Sequence, residues 1–485
     1  MTPFIQRILF VLTVSLFPPT VHAAAQPANI ILLLADDLGW TGIGCYGNTL
    51  HETPNLDRLA KQGMQFTDAY AACTVCSPTR ASLMTGKYPA RLHLTDFIAG
   101  QNRPFEKLTI PAWTKYLSPK EETIAEALRS HGYVTAHIGK WHLETKSPVK
   151  GFRAEQFLPI GQGFETSLDK PTGTRGYFLP TTFTRDDGSK GGFVTDYFTD
   201  EALKVIAKNR AKPFFLYLAY HNPHTPIQGK ATLKAHYEKK LATRPDIKIR
   251  NATYAAMIHS LDESVGRITK KVDELELSRN TLILFVSDNG GLTQRNGKID
   301  NIADNSPLRR GKGSAYEGGV RVPMIARWPG TVPAATKCST PVMTIDFFRT
   351  ALDVASKERS AKLAAPIDGV SILGLMKNPQ SELKRDTLYW HYPHYHAGGD
   401  APYSAVRRGK WRYIDFHDDT PDALYDLAAD IGETKNLIPR QSKLAAELKS
   451  QLARWRESVG AQMPRKNPRF DPDKTGKSAP QKRKR

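Results

Sequence analysis

Four short apolar runs, each closing on polar residues able to do chemistry, constrain this chain more than any other feature. Ile30 to Leu34 is followed by Asp36-Asp37, Tyr133 to Ile138 by Lys140 and His142, Phe214 to Tyr220 by His221 and His224, and Leu282 to Val286 by Asp288-Asn289. Runs this short and this β-rich read as buried strands. Helical segments lie between them. Thr253 to Leu275 spaces Tyr254, Ile258, Leu261, Val265, Ile268 and Val272 for one buried face, and Thr123 to Ser130 is a second helix. Strands alternating with helices predict an α/β fold with a parallel sheet, whose ligands collect at the carboxyl ends of the strands. All four polar groups then converge on one rim.

The residue types on that rim narrow the chemistry. Asp36, Asp37, Asp288 and Asn289 offer only oxygen ligands, a set that suits a hard cation such as Ca²⁺ or Mg²⁺ and discourages zinc. Either pair alone would be read as a solvated turn or a helix cap. Two such pairs, far apart in sequence and both ending apolar runs, point to one divalent ion.

A second constellation is Cys76-Ser77-Pro78-Thr79-Arg80, followed by Ala81-Ser82-Leu83-Met84-Thr85-Gly86. Proline is favoured at the first position of a helix and glycine just after its end, so Pro78 and Gly86 bracket a short helix with Cys76 at its mouth. The free amides and positive dipole end there attract an anion, and Arg80, four residues on, projects from the same face. The bland reading is a buried cysteine that happens to precede a helix. Cys73 and Cys76 also form a Cys-x-x-Cys pair, but without the thioredoxin-like βαβ surroundings of a redox site.

Length and composition set the frame. A chain of 485 residues suits one large domain with an appendage, or two domains. Residues 1–23 read as a secretory signal, with Arg7, the apolar run Ile8 to Phe17 and small residues before a cleavage after Ala23. That run is too short to span a bilayer and no later segment approaches the length needed. An exported protein, periplasmic or secreted, is expected. Residues 24–377 carry the alternating pattern and form the expected catalytic domain. Residues 378–463 change character: Thr387 to Trp390, Ser404 to Arg407 and Lys410 to Asp415 read as strands, and Ser442 to Val459 as an amphipathic helix. Residues 464–485, rich in Pro, Lys and Arg, read as a basic, disordered tail. The formal net charge is +20; the tail accounts for +7 and Arg7 for one more, which leaves about +12 on the folded body. A basic body suits a polyanionic substrate, and by charge alone it suits nucleic acid or a non-catalytic polyanion-binding role equally well.

The Cys-x-Pro-x-Arg run with its downstream Thr85-Gly86 resembles the maturation signature of the type I, formylglycine-dependent sulfatases of the alkaline phosphatase superfamily. Thr79 stands where many members have serine. Other segments follow in that family's order: Asn29 to Gly39, Thr53 to Ala60, Gly139-Lys140-Trp141-His142, His221-Asn222-Pro223-His224, Ser287-Asp288-Asn289-Gly290, Leu308 to Gly313, and Tyr316-Glu317-Gly318-Gly319. The resemblance runs from about Asn29 to Leu437, including Leu424-Tyr425-Asp426-Leu427 with Glu433.

The resemblance implies a large mixed, mostly parallel sheet flanked by helices, with a smaller C-terminal antiparallel sheet and helix beside the cleft. It implies an arylsulfatase-type enzyme acting on a sulfated saccharide, with no nucleic acid partner. A maturation enzyme would oxidise Cys76 to formylglycine, an aldehyde whose hydrate is the nucleophile. Asp36, Asp37, Asp288, Asn289 and residue 76 would hold one Ca²⁺, with Mg²⁺ as the alternative. Arg80, Lys140 and Lys312 would offset the charge of the sulfate. Asp288 would take a proton from the attacking hydroxyl, His224 with Lys312 would protonate the leaving oxygen, and His142 would deprotonate the second hydroxyl. His221 is expected to support His224. The run Trp390-His391-Tyr392-Pro393-His394-Tyr395-His396 is either a set of sugar contacts or a packed strand end. Of the four cysteines, Cys45, Cys73 and Cys338 would remain after modification, so one bridge at most is possible. The rival enzymatic reading is a phosphonate or phosphate ester hydrolase of the same superfamily.

Overall fold

The four apolar runs are four neighbouring parallel strands, in the order Thr281–Ser287, Asn29–Ala35, Phe214–Ala219 and Val134–Gly139. Their ends are in step: Ala35 lies opposite Ser287, and Leu34 and Gly139 both oppose Ala219. Thr166–Leu168 extends the parallel set at one edge. On the other side Met324–Arg327 runs antiparallel to Thr281–Ser287, followed by Met64–Phe66 and Thr336–Cys338. This eight-stranded mixed, mostly parallel sheet is the α/β, alkaline phosphatase-like architecture expected. The structure is a computed structural model that describes residues 27–145, 147–295, 298–299, 302–356 and 366–476. The expected secretory signal lies outside these residues.

Alternation along the strands divides the core into two layers. Ile30, Leu32 and Leu34 enter one apolar cluster, while Ile31, Leu33 and Ala35 enter the other, the period-two pattern of a strand buried on both faces. The helix Ala252–Glu274 covers the second layer with all six residues of its expected stripe, and Asn251 caps it by accepting from the Tyr254 N–H. Burying each aliphatic side chain contributes about 1.5–3 kcal/mol, which outweighs the weaker helix propensity of Val265, Ile268 and Val272. On the first layer, Ile124–Ser130 opens with a capping box between Thr123 and Glu126 and packs with Asp346–Ala355.

The C-terminal strands Thr387–Tyr392, Tyr403–Arg408, Trp411–Phe416 and Ala423–Asp426 form an antiparallel meander, with the helix Ser442–Ser458 packed on it. Its apolar cluster includes Tyr70, Cys73, Val75 and Tyr88, so the meander supports the chain leading into Cys76. Arg412, wholly buried, pairs with Glu317 Oε1 (3.1 Å) and Glu433 Oε1 (3.4 Å) and donates to the Ala315 carbonyl (2.7 Å).

The segment from residue 464, expected as a disordered tail, is paired with the body as far as it is described, to residue 476. Arg465–Lys466 pairs antiparallel with Leu108–Thr109, Asn467 Nδ2 donates to the carbonyls of Pro104 and Glu106, and the Gly476 N–H donates to Glu106 Oε1. Composition averages over the whole segment and misses this local pairing. Cys45, Cys73, Cys76 and Cys338 are all free thiols. Burial pushes the Cys73 thiol up, which disfavours the redox reading of Cys-x-x-Cys.

Candidate active site

Residue 76 is positioned by the helix Cys76–Thr85, which Val75 precedes in extended conformation and Gly86 closes in the left-handed region at φ 68°. The helix starts two residues before Pro78 rather than at it. A proline in the first turn costs no intrahelical bond, because the first amides have no partner there. Cys76 is therefore the first helical residue, and it is buried.

His142 Nδ1 lies 3.3 Å from Cys76 Sγ, and Nε2 of the same ring lies 2.5 Å from the Ile98 carbonyl oxygen. A carbonyl only accepts, so Nε2 carries the proton and Nδ1 presents a lone pair to residue 76. Burial first, then the Lys140 charge, pushes His142 down to about 3 and keeps it neutral. His142 (φ 60°) and Asp37 (φ 64°) both occupy the left-handed region, strain of a kind that gathers at functional sites.

Arg80 projects from the same helix and is completely buried. Its Nε and Nη2 donate to Asp288 Oδ2 at 2.9 and 2.8 Å, Nη1 donates to the Lys140 carbonyl at 2.7 Å, and Asp36 Oδ1 is 3.7 Å away. Lys140 Nζ lies 2.6 Å from Asp36 Oδ2. Gly139, at φ 103°, lets this strand end pass close to its neighbour; a Cβ there would fall 2.0 Å from the Ala219 carbonyl. Lys312 Nζ contacts both oxygens of Asp37, at 2.7 and 2.8 Å.

His224 Nδ1 donates to the Thr225 carbonyl at 2.7 Å, and its Nε2 faces Asp37 Oδ2 at 3.6 Å. The expected support from His221 comes through the backbone, since its carbonyl accepts the His224 N–H at 2.9 Å. The His221 imidazole instead stacks on Phe198 and faces Asp169. Sequence reading missed Tyr177, whose hydroxyl lies against the carbonyls of His221 and His224. It also missed Ile98, which acts through a backbone carbonyl and so leaves no side-chain signal.

These groups line or underlie a cavity of about 480 Å³, whose wall includes Asp37, Cys76, Lys140, His142, His224 and Lys312. A larger cavity of about 1090 Å³ lies elsewhere, but its charges are spent on one another, as in Lys230 with Asp196 and Arg267 with Asp200. A family model for the sulfatases matches residues 28–357. The chain belongs to the sulfatase family. A second model, described as N-sulphoglucosamine sulphohydrolase, C-terminal, matches residues 311–458. This sulfatase is 30% identical to a sulfatase of Formosa agariphila over 89% of each chain. It is 33% identical to the N-acetylgalactosamine-6-sulfatase of Sus scrofa over 73% of this chain and 67% of that one. Among solved structures, Ps i-CgsB in complex with k-i-k-neocarrahexaose is similar at TM-score 0.71 and 29% identity, covering 92% of this chain and 95% of that one.

The donor set of the sulfatase site fits a hard cation. Among the described residues Asp36 Oδ1 and Asn289 Oδ1 are buried without a hydrogen-bond partner, and donor atoms of Asp36, Cys76 and Asp288 lie within 4.8 Å of one another. Asn289 Nδ2 donates to Asp37 Oδ1 at 2.7 Å and to the Gly290 carbonyl at 2.9 Å, which ties the amide to the Asp37 carboxylate. Burial raises the Asp36 carboxyl, but Lys140, His224, Arg80 and Lys312 together hold it well below the usual range. For Asp37, Lys312 and His224 likewise outweigh burial. Asp288 goes the other way: burial and the Asp36 charge push it well above its ordinary value despite Arg80. Arg80, Lys140 and Lys312 partner the three carboxyls here, and the unpaired Asp36 and Asn289 oxygens are the ones left for a hard cation.

Proposed function

We propose that this sulfatase removes sulfate from a sulfated carbohydrate, with residue 76 converted from cysteine to formylglycine by a maturation enzyme. One divalent ion, Ca²⁺ or Mg²⁺, would be held by Asp36, Asp37, Asp288, Asn289 and residue 76. The two groups supply an aldehyde-hydrate hydroxyl as nucleophile and a Lewis acid for the sulfate. The observation that carries the reading is Cys76 lining the cavity, with donor atoms of Asp36 and Asp288 within 4.8 Å and His142 Nδ1 at 3.3 Å from its Sγ.

The chain's own groups divide the remaining work. Arg80, Lys140 and Lys312 place fixed positive charge where sulfuryl transfer gathers negative charge. Asp288, whose carboxylate lies within 4.8 Å of Cys76 Sγ, takes the proton of the attacking hydroxyl. His224 is held neutral, at about 4, by burial and Lys312. It becomes an acid at Nε2 once a sulfate ester's charge offsets Lys312, and Lys312 Nζ is the second donor to the leaving oxygen. His142 takes a proton from residue 76 at Nδ1. The saccharide class is supported by the sugar sulfatases and the oligosaccharide complex among its relatives.

Export of the mature chain belongs to the same reading. Among the described residues no helix is long and apolar enough to cross a membrane.

Mass spectrometry of the tryptic peptide Gln62 to Arg80, from a host with the maturation machinery, is expected to show loss of the thiol. Active enzyme with a wholly unmodified Cys76 would remove the proposed nucleophile. Rates on 4-nitrophenyl sulfate should exceed those on an aryl phosphonate; a dominant phosphonate rate would favour the rival ester.

A further inference from the structure

The aromatic and imidazole run from Trp390 to His396 is almost entirely consumed by packing. Trp390 Nε1 donates to the Ala71 carbonyl, His391 bridges Ser404 and the Gln462 carbonyl, the Tyr392 hydroxyl donates to Asp96, and His394 meets Thr95. His396 differs. It follows the meander strand Thr387–Tyr392 and lines the active-site cavity.

Three contacts define what this ring offers. The Gly398 N–H donates to Nδ1 at 3.0 Å, so the proton of the neutral ring sits on Nε2. Among the described residues Nε2 has no hydrogen-bond partner. The ring is pressed against the backbone of Gly313, where a Cβ would fall 1.9 Å from Nδ1, and Phe97 meets it edge-on at 5.9 Å. Burial, then the adjacent Lys312 charge, pushes its pKa down to about 3, so it is a neutral donor across the working pH range. A rigid, neutral N–H beside Lys312 is poorly matched to a sulfate, which the surrounding cations already serve. It is well matched to a hydroxyl or ring oxygen.

We infer that His396 selects the sugar, donating from Nε2 to an oxygen of the saccharide that carries the scissile sulfate. The inference rests on the carbohydrate reading above. A buried donor aimed at a substrate oxygen penalises any substrate that leaves it unpaired.

The test compares wild type, His396→Phe and His396→Gln on 4-nitrophenyl sulfate and on a panel of galactose 6-sulfate, N-acetylgalactosamine 6-sulfate, glucosamine 6-sulfate and neocarrageenan oligosaccharides. Phenylalanine keeps an aromatic ring but removes the donor, and glutamine restores an N–H. The ratio of kcat/KM on the best sugar to that on the aryl sulfate should fall about tenfold or more in His396→Phe, mainly through KM, and recover in large part in His396→Gln. An unchanged ratio in all three proteins overturns the assignment alone. Wild type that cleaves aryl sulfate and no sugar of the panel overturns the carbohydrate reading, and the assignment with it. Should a variant fail to fold, wild type is assayed on deoxy analogues of its best sugar. One hydroxyl must then cost about tenfold or more in kcat/KM, and loss at none overturns the assignment.

Discussion

His142 Nε2 is bonded to the Ile98 carbonyl, and through that bond the Ile98 backbone decides which nitrogen faces Cys76. The Ile98 N–H in turn donates to Ser77 Oγ at 3.1 Å. The residue next to Cys76 therefore anchors the loop that orients His142.

If His142 acts after the leaving group departs, His142→Ala should release one equivalent of 4-nitrophenol in a burst and then turn over at least about a hundredfold more slowly. Stopped-flow absorbance reads both phases. An equally slow first turnover would place His142 before that departure.

Arg80 is the shared partner of Asp288 and Asp36, and all three side chains are fully buried. Arg80→Ala should cost about 3–5 kcal/mol of stability, because the buried Asp288 carboxyl loses its counter-charge while Asp36 keeps Lys140. Arg80→Lys keeps a charge but not the two-bond fork to Asp288, so kcat/KM should still fall about a hundredfold or more. Urea denaturation and steady-state kinetics on the same preparations check both. Near-wild-type activity in Arg80→Lys would mean that the fork itself contributes little.

Chelation is expected to lower both activity and thermal stability, and Ca²⁺ or Mg²⁺ to restore them. A cation at 100 times its Kd adds about 2.7 kcal/mol to a protein that binds it only when folded. Asp37→Asn and Asn289→Ala should shift the calorimetric back-titration to higher ion concentration. A thermogram indifferent to chelator would count against the metal site.

Stability should rise with pH between about 3 and 6.5. Burial holds His137, His391, His394 and His417 near 3 against an ordinary 6.5. Through that window the unfolded chain binds protons that the native state refuses, so the contribution is complete above 6.5 and is lost on acidification. Asp96, raised to about 7 by burial, Asp262, raised to about 6, Glu433, raised to about 8, and the raised Asp288 and Asp400 act in the opposite sense, but they are fewer than the histidines held low once His51, His142, His221, His224 and His396 are included. Calorimetry at constant ionic strength should give a lower Tm at pH 4.5 than at pH 7, with a shallower slope in His394→Gln. A Tm that does not fall on acidification would contradict this.

Much of the site was legible because a parallel sheet leaves little freedom. Once Asn29–Ala35, Val134–Gly139, Phe214–Ala219 and Thr281–Ser287 are strands of one sheet, the residues that follow them must share a rim. Asp36, Lys140, His224 and Asp288 could be assigned to one place without coordinates. The start of the Cys76 helix was misplaced by two residues, because proline is tolerated throughout a first turn. The tail was misjudged from residue 464, because the pairing of Arg465–Lys466 with Leu108–Thr109 depends on a strand over 350 residues earlier.

By itself, then, the order of residues determined the layered α/β architecture and the gathering of Asp36, Asp37, Asp288 and Asn289 at one rim, since both rest on side-chain type and local periodicity. Only the tertiary structure decided which nitrogen of His142 faces Cys76 and which member of the 390–396 run enters the cavity. Both depend on backbone groups, the Ile98 carbonyl and the Gly398 amide. Every residue but proline carries these same groups, so only their final placement gives them meaning.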